Sequence, residues 1–140
     1  MARLTYAEIV TLIDFNNRSD YVKHVIIAQI YKESRFDPGA TNGSSTATGL
    51  MQMTSPAVTE VNRVKGTTFK HGDMKVAATC IQAGTTYLNI CFDRGGRTWA
   101  GGLDKYGTGA GYSKNILAAS AELAKSPADP MAVLIKYIGS

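Results

Sequence analysis

One carboxylate, Glu33, occupies a position that could make it reactive. It lies three residues after Ile30 and seven after Ile26, so its side chain falls on the apolar face of a helix, near the C-terminal end. Apolar surroundings and the negative end of the helix dipole both disfavour the anion and raise the carboxyl pKa. A carboxyl that keeps its proton near neutral pH can donate it, as a general acid for glycoside cleavage must. The same spacing also allows a plainer reading, in which Glu33 reaches solvent or pairs with Lys32 or Arg35.

Few other side chains offer chemistry. Asp37 belongs to a Phe-Asp-Pro turn and is expected to cap local amides. Glu60 lies one turn into a helix, Asp73 reads as a helix cap, and Asp104 reads as exposed. His24 and His71 have no second metal ligand nearby in the pattern, so no metal and no cofactor is expected. Cys80 and Cys91 fall in one helix. Eleven residues at ~1.5 Å each separate them by roughly 16 Å, while a disulfide needs Cα atoms within ~7 Å. Two buried free thiols on one helical face are expected.

The elements that must carry these groups are helices. Thr5-Tyr6-Ala7-Glu8 is a capping box, followed by an Ile9, Leu12, Ile13 stripe. Ser19 or Asp20 caps a second helix with Val22, Ile26, Ile30 and Glu33 on one face, stopped by Pro38. Residues 39 to 48 form a loop rich in Gly, Ser and Thr. Ser55-Pro56 starts a third helix with the proline at its first position, and Gly66 closes it. Asp73 opens the longest helix, which ends at Gly95-Gly96. A short helix runs from Thr98 through Leu103, a glycine-rich turn follows, and further helices run from Tyr112 to about Leu123 and from Asp129-Pro130 to Gly139. The chain reads as one mainly α domain over residues 1–140, with six or seven helices and at most a small β hairpin.

Length and composition agree with one soluble globular domain. The net charge of +4 is spread along the chain, with no Lys/Arg run of the kind that tracks nucleic acid. A diffuse positive field fits either a solvated surface or attraction to an anionic polymer such as a cell wall. No apolar run approaches the ~20 residues of a membrane span. The N-terminal "MARLTYAEIV" lacks the apolar core and cleavage site of a signal peptide.

The stretch around Glu33 also carries a resemblance. Glu33-Ser34-x-Phe36-Asp37-Pro38-x-Ala40, a Gly/Ser/Thr segment, Gly49-Leu50-Met51-Gln52 and Pro56 resemble the signature of soluble lytic transglycosylases and goose-type lysozymes. "CIQAGTTYLN" (80–89) is similar to the long-helix segment of that superfamily, with Gly84, Tyr87 and Leu88 at family positions. "LDKYGTGAGY" (103–112) resembles its tyrosine-asparagine-alanine-glycine turn, with Gly107 and Thr108 where the family has asparagine and alanine. The resemblance covers residues from about 20 to 120.

It implies a lysozyme-like fold around a substrate groove and cleavage of the β-1,4 bond between N-acetylmuramic acid and N-acetylglucosamine in peptidoglycan. In lytic transglycosylases one glutamate, here Glu33, protonates the glycosidic oxygen and then takes the proton of the muramic C6 hydroxyl, which closes a 1,6-anhydro ring. The substrate's acetamido group carries the intermediate, so the paired carboxylates of most glycosidases are not needed. The resemblance brings Ser34, Ser45 (or Ser44), Gly49, Leu50, Met51, Gln52, Tyr87, Tyr106 and Gly107 to the substrate side, with Tyr106 or Tyr87 orienting the acid. Gly49 would let the backbone pass close to a sugar, Met51 would form an apolar wall, and Gln52 would bind an N-acetyl group or hydroxyl. The loop "TNGSSTAT" lacks the aspartate that hydrolysing relatives use, which favours transglycosylation. A hydrolase recruiting water through Glu60 or Asp73 and a silent glycan-binding module remain as rival readings. The expected partners are glycan strands and an inhibitor or immunity protein in the groove. The expected place of action is the bacterial cell wall, in the periplasm, after delivery by phage lysis, a tail or a secretion machine.

Overall fold

The computed structural model describes residues 3–140; Met1 and Ala2, at the start of the N-terminal stretch read above as lacking a leader, lie outside the described residues. Seven α-helices and one short 3-10 helix appear in chain order: α1 (Tyr6–Asn16), α2 (Lys23–Ser34), α3 (Ser55–Lys65), the 3-10 helix (His71–Lys75), α4 (Ala77–Arg94), α5 (Trp99–Tyr106), α6 (Tyr112–Leu123) and α7 (Pro130–Ile138). Extended structure among the described residues is confined to isolated antiparallel bridges, Thr41 with Thr48 and Thr48 with Met53. The expectation of a mainly α chain with six or seven helices holds.

Helix α2 is the axis of the molecule. Every residue from Val25 to Tyr31 is buried, so α2 has no solvent face over two turns. It is packed by α1, α6 and α7, while α4 supports α1, α3, α5 and the 3-10 helix. The core is continuous, from Ile9 and Ile13 through Ile26, Ile27 and Ile30 to Leu50, Met51, Ile81, Leu88 and Ile116. Burial of about a dozen such side chains, each contributing roughly 1.5–3 kcal/mol, drives this packing.

Several helix ends differ from the sequence reading, each for a local reason. The Thr5 capping box forms as expected. Helix α2, however, starts after Val22, with no side-chain cap; Ser19 is engaged instead with Asn17, whose Oδ1 accepts from both the Ser19 amide and hydroxyl. Its C-terminus is set at Arg35, in the left-handed region, rather than by Pro38. Thr54 caps α3, which makes Pro56 its second residue rather than its first. Asp73 lies inside the 3-10 helix, and α4 begins four residues later. Helix α5 continues three residues beyond Leu103, to Tyr106. Cys80 and Cys91 are both buried free thiols on α4, and burial pushes each up to about 11.

Candidate active site

The end of α2, the loop 39–54, the turn after α5 and the start of α6 surround a groove of ≈ 470 Å³. Lys32, Glu33, Asn42, Ser45, Ala47, Gln52, Thr54, Tyr106, Gly107, Thr108 and Tyr112 line it. Glu33 is the one carboxylate in that lining, and Lys32 the one cation.

The chain aims Glu33 by ending α2 abruptly. Arg35 and Phe36 both adopt positive φ, 54° and 68°, and fold the backbone back under the helix. Buried Phe36 packs edge-on against Tyr31, with ring centroids 5.3 Å apart. The Leu4 amide donates to the Phe36 carbonyl at 2.9 Å and closes the turn. Asp37 Oδ1 accepts from the Gly39 amide at 2.9 Å, the local cap expected of it.

Glu33 itself is half-buried. Its Oε2 accepts a hydrogen bond from the Tyr112 hydroxyl, and among the described residues no donor reaches Oε1. Burial raises the carboxyl above its ordinary value; the Tyr112 bond and the Lys32 charge oppose that shift without cancelling it. Burial, reinforced by the Glu33 charge, holds the Tyr106 and Tyr112 hydroxyls far above the usual phenol value, so both stay protonated and serve as donors. Tyr106 spends its proton on the Met51 carbonyl, at 2.6 Å, with the Met53 sulfur at 3.5 Å.

The opposite wall is the loop. Gln52, at φ 49°, turns its Nε2 back onto the carbonyls of Ala40 and Gly49, both at 3.1 Å. Its donor is therefore committed to the loop, and among the described residues no donor reaches its Oε1 at the groove. Ser45 Oγ accepts from the Ala47 amide at 3.1 Å, and Asn42 Oδ1 accepts from the Ser44 amide and hydroxyl. From outside, His71 Nε2 lies 2.8 Å from the Thr46 carbonyl and 3.1 Å from that of Met53. Carbonyls only accept, so Nε2 carries the hydrogen and ties the 3-10 helix to the loop.

A family model described as the transglycosylase SLT domain matches residues 12–128. The chain belongs to the transglycosylase SLT domain family. The fold agrees with solved structures. The 70 kDa soluble lytic transglycosylase of Escherichia coli aligns with a TM-score of 0.63 at 19% identity, over 97% of this SLT domain chain and 22% of the other. A complex of the 70-kDa soluble lytic transglycosylase with bulgecin A gives 0.63 at 20% identity, over 97% and 22%. An inactive variant of the lytic transglycosylase Slt of Pseudomonas aeruginosa gives 0.61 at 21% identity, over 96% and 20%. The chain thus spans about a fifth of each of these larger proteins. No curated protein matches it.

In this SLT domain the residues named from sequence separate into two groups. Glu33, Ser45, Gln52, Tyr106 and Gly107 meet at the groove. Ser34, Gly49, Leu50, Met51 and Tyr87 do not line it, and each has a structural reason for its place. Ser34 is buried, and its hydroxyl donates to the Ile30 carbonyl at 3.0 Å. Leu50 and Met51 are fully enclosed in the core, so neither side chain presents a wall to a sugar. Gly49, at φ +84°, faces the 3-10 helix: a Cβ there would sit 2.0 Å from the Met74 carbonyl oxygen, so the absent side chain serves packing. Tyr87 stands behind Tyr106, with centroids 5.3 Å apart, and does not reach Glu33. Gly107 lies under the Tyr112 ring; a Cβ would fall 2.2 Å from it, so a side chain has no room here.

The two candidate second carboxylates are elsewhere. Glu60 is held by Arg63, at 2.8 Å, and Arg94, at 2.5 Å, which pull its carboxyl down to about 2. Asp73 is exposed in a separate hollow beside Arg18 and Phe69. Among the described residues no three His, Cys, Asp or Glu side chains gather as metal ligands would.

Sequence reasoning missed Tyr112, reading it only as the start of α6. Its signal was present: Tyr112, Ile116, Ala119 and Leu123 form the buried stripe of α6, and the first of these carries a hydroxyl. It also missed that Asp104, though exposed, accepts from the Ser113 amide at 3.2 Å and hydroxyl at 2.9 Å, bracing the residue beside Tyr112.

Proposed function

We propose that this SLT domain cleaves the N-acetylmuramic acid–β-1,4–N-acetylglucosamine bond of peptidoglycan as a lytic transglycosylase, with Glu33 as its general acid and base. The observation that carries the reading is a half-buried carboxyl, raised above its ordinary value, that is the one acid lining a polar groove. The protonated Glu33 gives its hydrogen to the glycosidic oxygen as the C1–O bond breaks. The carboxylate so formed, held by Tyr112, accepts the hydrogen of the muramic C6 hydroxyl while that oxygen bonds C1. The proton returns to Glu33, no water is consumed, and the product is a 1,6-anhydro sugar.

A lone acid suits this sequence of steps because the nucleophile is supplied by the sugar. Inverting hydrolysis needs a second carboxylate about 6.5–9.5 Å from the first, to hold water. Glu60 and Asp73, the candidates for that role, lie outside the groove lining. The free Oε1 of Gln52 is suited to accept from an acetamido N–H, and Ser45, Asn42 and Thr108 are suited to sugar hydroxyls. Tyr106 acts through the Met51 carbonyl, fixing the loop against α5.

Digestion of purified sacculi followed by mass spectrometry of the released muropeptides tests the reading. Anhydro-muropeptides from wild type, with release reduced on the order of 10²–10⁴-fold in Glu33→Gln, are the expected result. Reducing-end products would overturn transglycosylation, and full activity in Glu33→Gln would overturn the assignment of the acid.

A further inference from the structure

Gln29 is a fully buried amide in an otherwise apolar stretch of α2, one helical turn before Glu33 and on the same face. Its Nε2 points at the Tyr112 hydroxyl oxygen, 3.4 Å away. Its Oε1 is buried with no hydrogen-bond partner among the described residues. An orphaned buried carbonyl is costly, and turning the amide over would satisfy it by accepting the Tyr112 proton. The orientation present instead leaves Oε1 unsatisfied and gives Tyr112 a donor. Among the described residues Arg35 Nε is the other orphaned buried side-chain atom, and Arg35 lines a different hollow from the groove.

The consequence falls on Glu33. A hydroxyl has one hydrogen and two lone pairs. With Nε2 facing a lone pair of Tyr112, the Tyr112 hydrogen goes to Glu33 Oε2. Oε2 is then an acceptor, and the dissociable proton of Glu33 must reside on Oε1, the oxygen that no donor among the described residues reaches. Were Tyr112 to donate to Gln29, it would accept from Glu33, and the acidic proton would be drawn onto Oε2, away from substrate. We propose that Gln29 is a positioning residue that holds Tyr112 as a donor and so confines the reactive proton of Glu33 to Oε1. This rests on Glu33 being the general acid.

The titratable and charged groups around this pair are few. Lys32 flanks Glu33 on α2, Tyr106 faces it from α5, and Tyr112 from α6; the loop contributes none. Cys80 and Cys91 of α4 lie behind Tyr106 and stay neutral. Loss of the Gln29 donor weakens Tyr112 as a donor, so the Glu33 anion is less stabilised. Glu33 then deprotonates at higher pH, and the alkaline limb of kcat/KM moves up.

The test is a double-mutant cycle of Gln29→Met and Tyr112→Phe, with soluble glycan strands as substrate. Gln29→Met should lower kcat about tenfold, leave KM unchanged and shift the alkaline limb upward. In the Tyr112→Phe background it should change neither kcat nor the pH profile. Equal losses in both backgrounds, or a fall in kcat with an unmoved pH profile, would mean Gln29 only packs the core, and would overturn the proposal. If Gln29→Met fails to fold, wild-type NMR decides. The Gln29 Nε2 shift should titrate with the same midpoint as the Glu33 side-chain carbonyl, and a flat Nε2 shift overturns the proposal. Glu33→Gln, assayed in parallel, separates the outcomes: retained activity there removes the acid itself, whatever the cycle shows.

Discussion

The Tyr112 hydroxyl donates to Glu33 Oε2, joining the first turn of α6 to the last turn of α2 across 79 residues of sequence. Burial raises the Glu33 pKa while this bond lowers it, so the acid is left above its ordinary value yet still able to ionise. Both halves of an acid–base cycle need that balance. The bond is also charge-assisted whenever Glu33 is ionised, the class worth about 1.5–3 kcal/mol.

Tyr112→Phe removes the donor and keeps the ring that packs over Gly107. The Glu33 anion loses stabilisation, so its pKa rises further and the alkaline limb of the pH–rate profile moves to higher pH. The expected loss in kcat is about 10–100-fold, the kinetic equivalent of one charge-assisted bond. Steady-state rates between pH 4 and 9 check this, and a limb moving to lower pH would contradict it.

Glu33→Gln should stabilise the fold while removing activity. The folded pKa of Glu33 lies above the unfolded value of about 4.3, so keeping the group ionised costs stability. That cost is absent below about pH 4.3, where both states are protonated. It grows as pH rises to the raised folded value and is then constant. A neutral amide avoids it and still accepts from Tyr112. Thermal melts should show the variant more stable than wild type at pH 8 and equal to it at pH 3.5; equality at both would remove the buried-acid argument.

The helical order was legible because α1, α5 and α7 announce themselves by Thr5, Thr98 and Asp129, short side chains that cap their own amides, and α3 by Ser55-Pro56, just inside a Thr54 cap that the pattern did not single out. Where α2 and α4 begin, no side chain caps, and the boundary is set by tertiary packing that no local pattern records. Glu33 was legible for the opposite reason, a charge on an apolar stripe. What the pattern could not convey was direction. Gly49 and Met51 lie in the most recognisable block of the chain, yet they turn inward, toward Met74 and the core. Tyr106 lines the groove but gives its proton to Met51, a choice that depends on the loop closing against α5.

His71→Ala probes that loop from outside the groove. The imidazole holds two loop carbonyls, those of Thr46 and Met53, and both flank groove-lining residues. Releasing them leaves Glu33 and Tyr112 untouched but lets the wall formed by residues 42–54 move. The loss is therefore expected in substrate binding: KM for glycan strands should rise about tenfold, the worth of one or two neutral hydrogen bonds, with kcat within about twofold of wild type. A large fall in kcat at unchanged KM would mean that His71 supports the chemistry directly.

Glu60 gives the pH response opposite in sign to Glu33. Arg63 and Arg94 depress its carboxyl to about 2 in the folded chain, below the unfolded value of about 4.3. Its stabilising contribution is therefore complete above about pH 4.3 and is lost as pH falls toward the folded value. Arg94 is at the end of α4 and Glu60 is on α3, so the pair clasps two helices that otherwise meet through apolar packing. Because these charges sit at the surface, salt should weaken the clasp. Glu60→Gln should melt earlier than wild type at pH 7 in low salt. The gap should narrow in 0.5 M salt and close as pH approaches about 2. Muropeptide release should match wild type, because neither Glu60 nor its arginine partners line the groove. A melting gap that stays constant across this pH range would show that the variant disturbs packing between α3 and α4 rather than an ion pair.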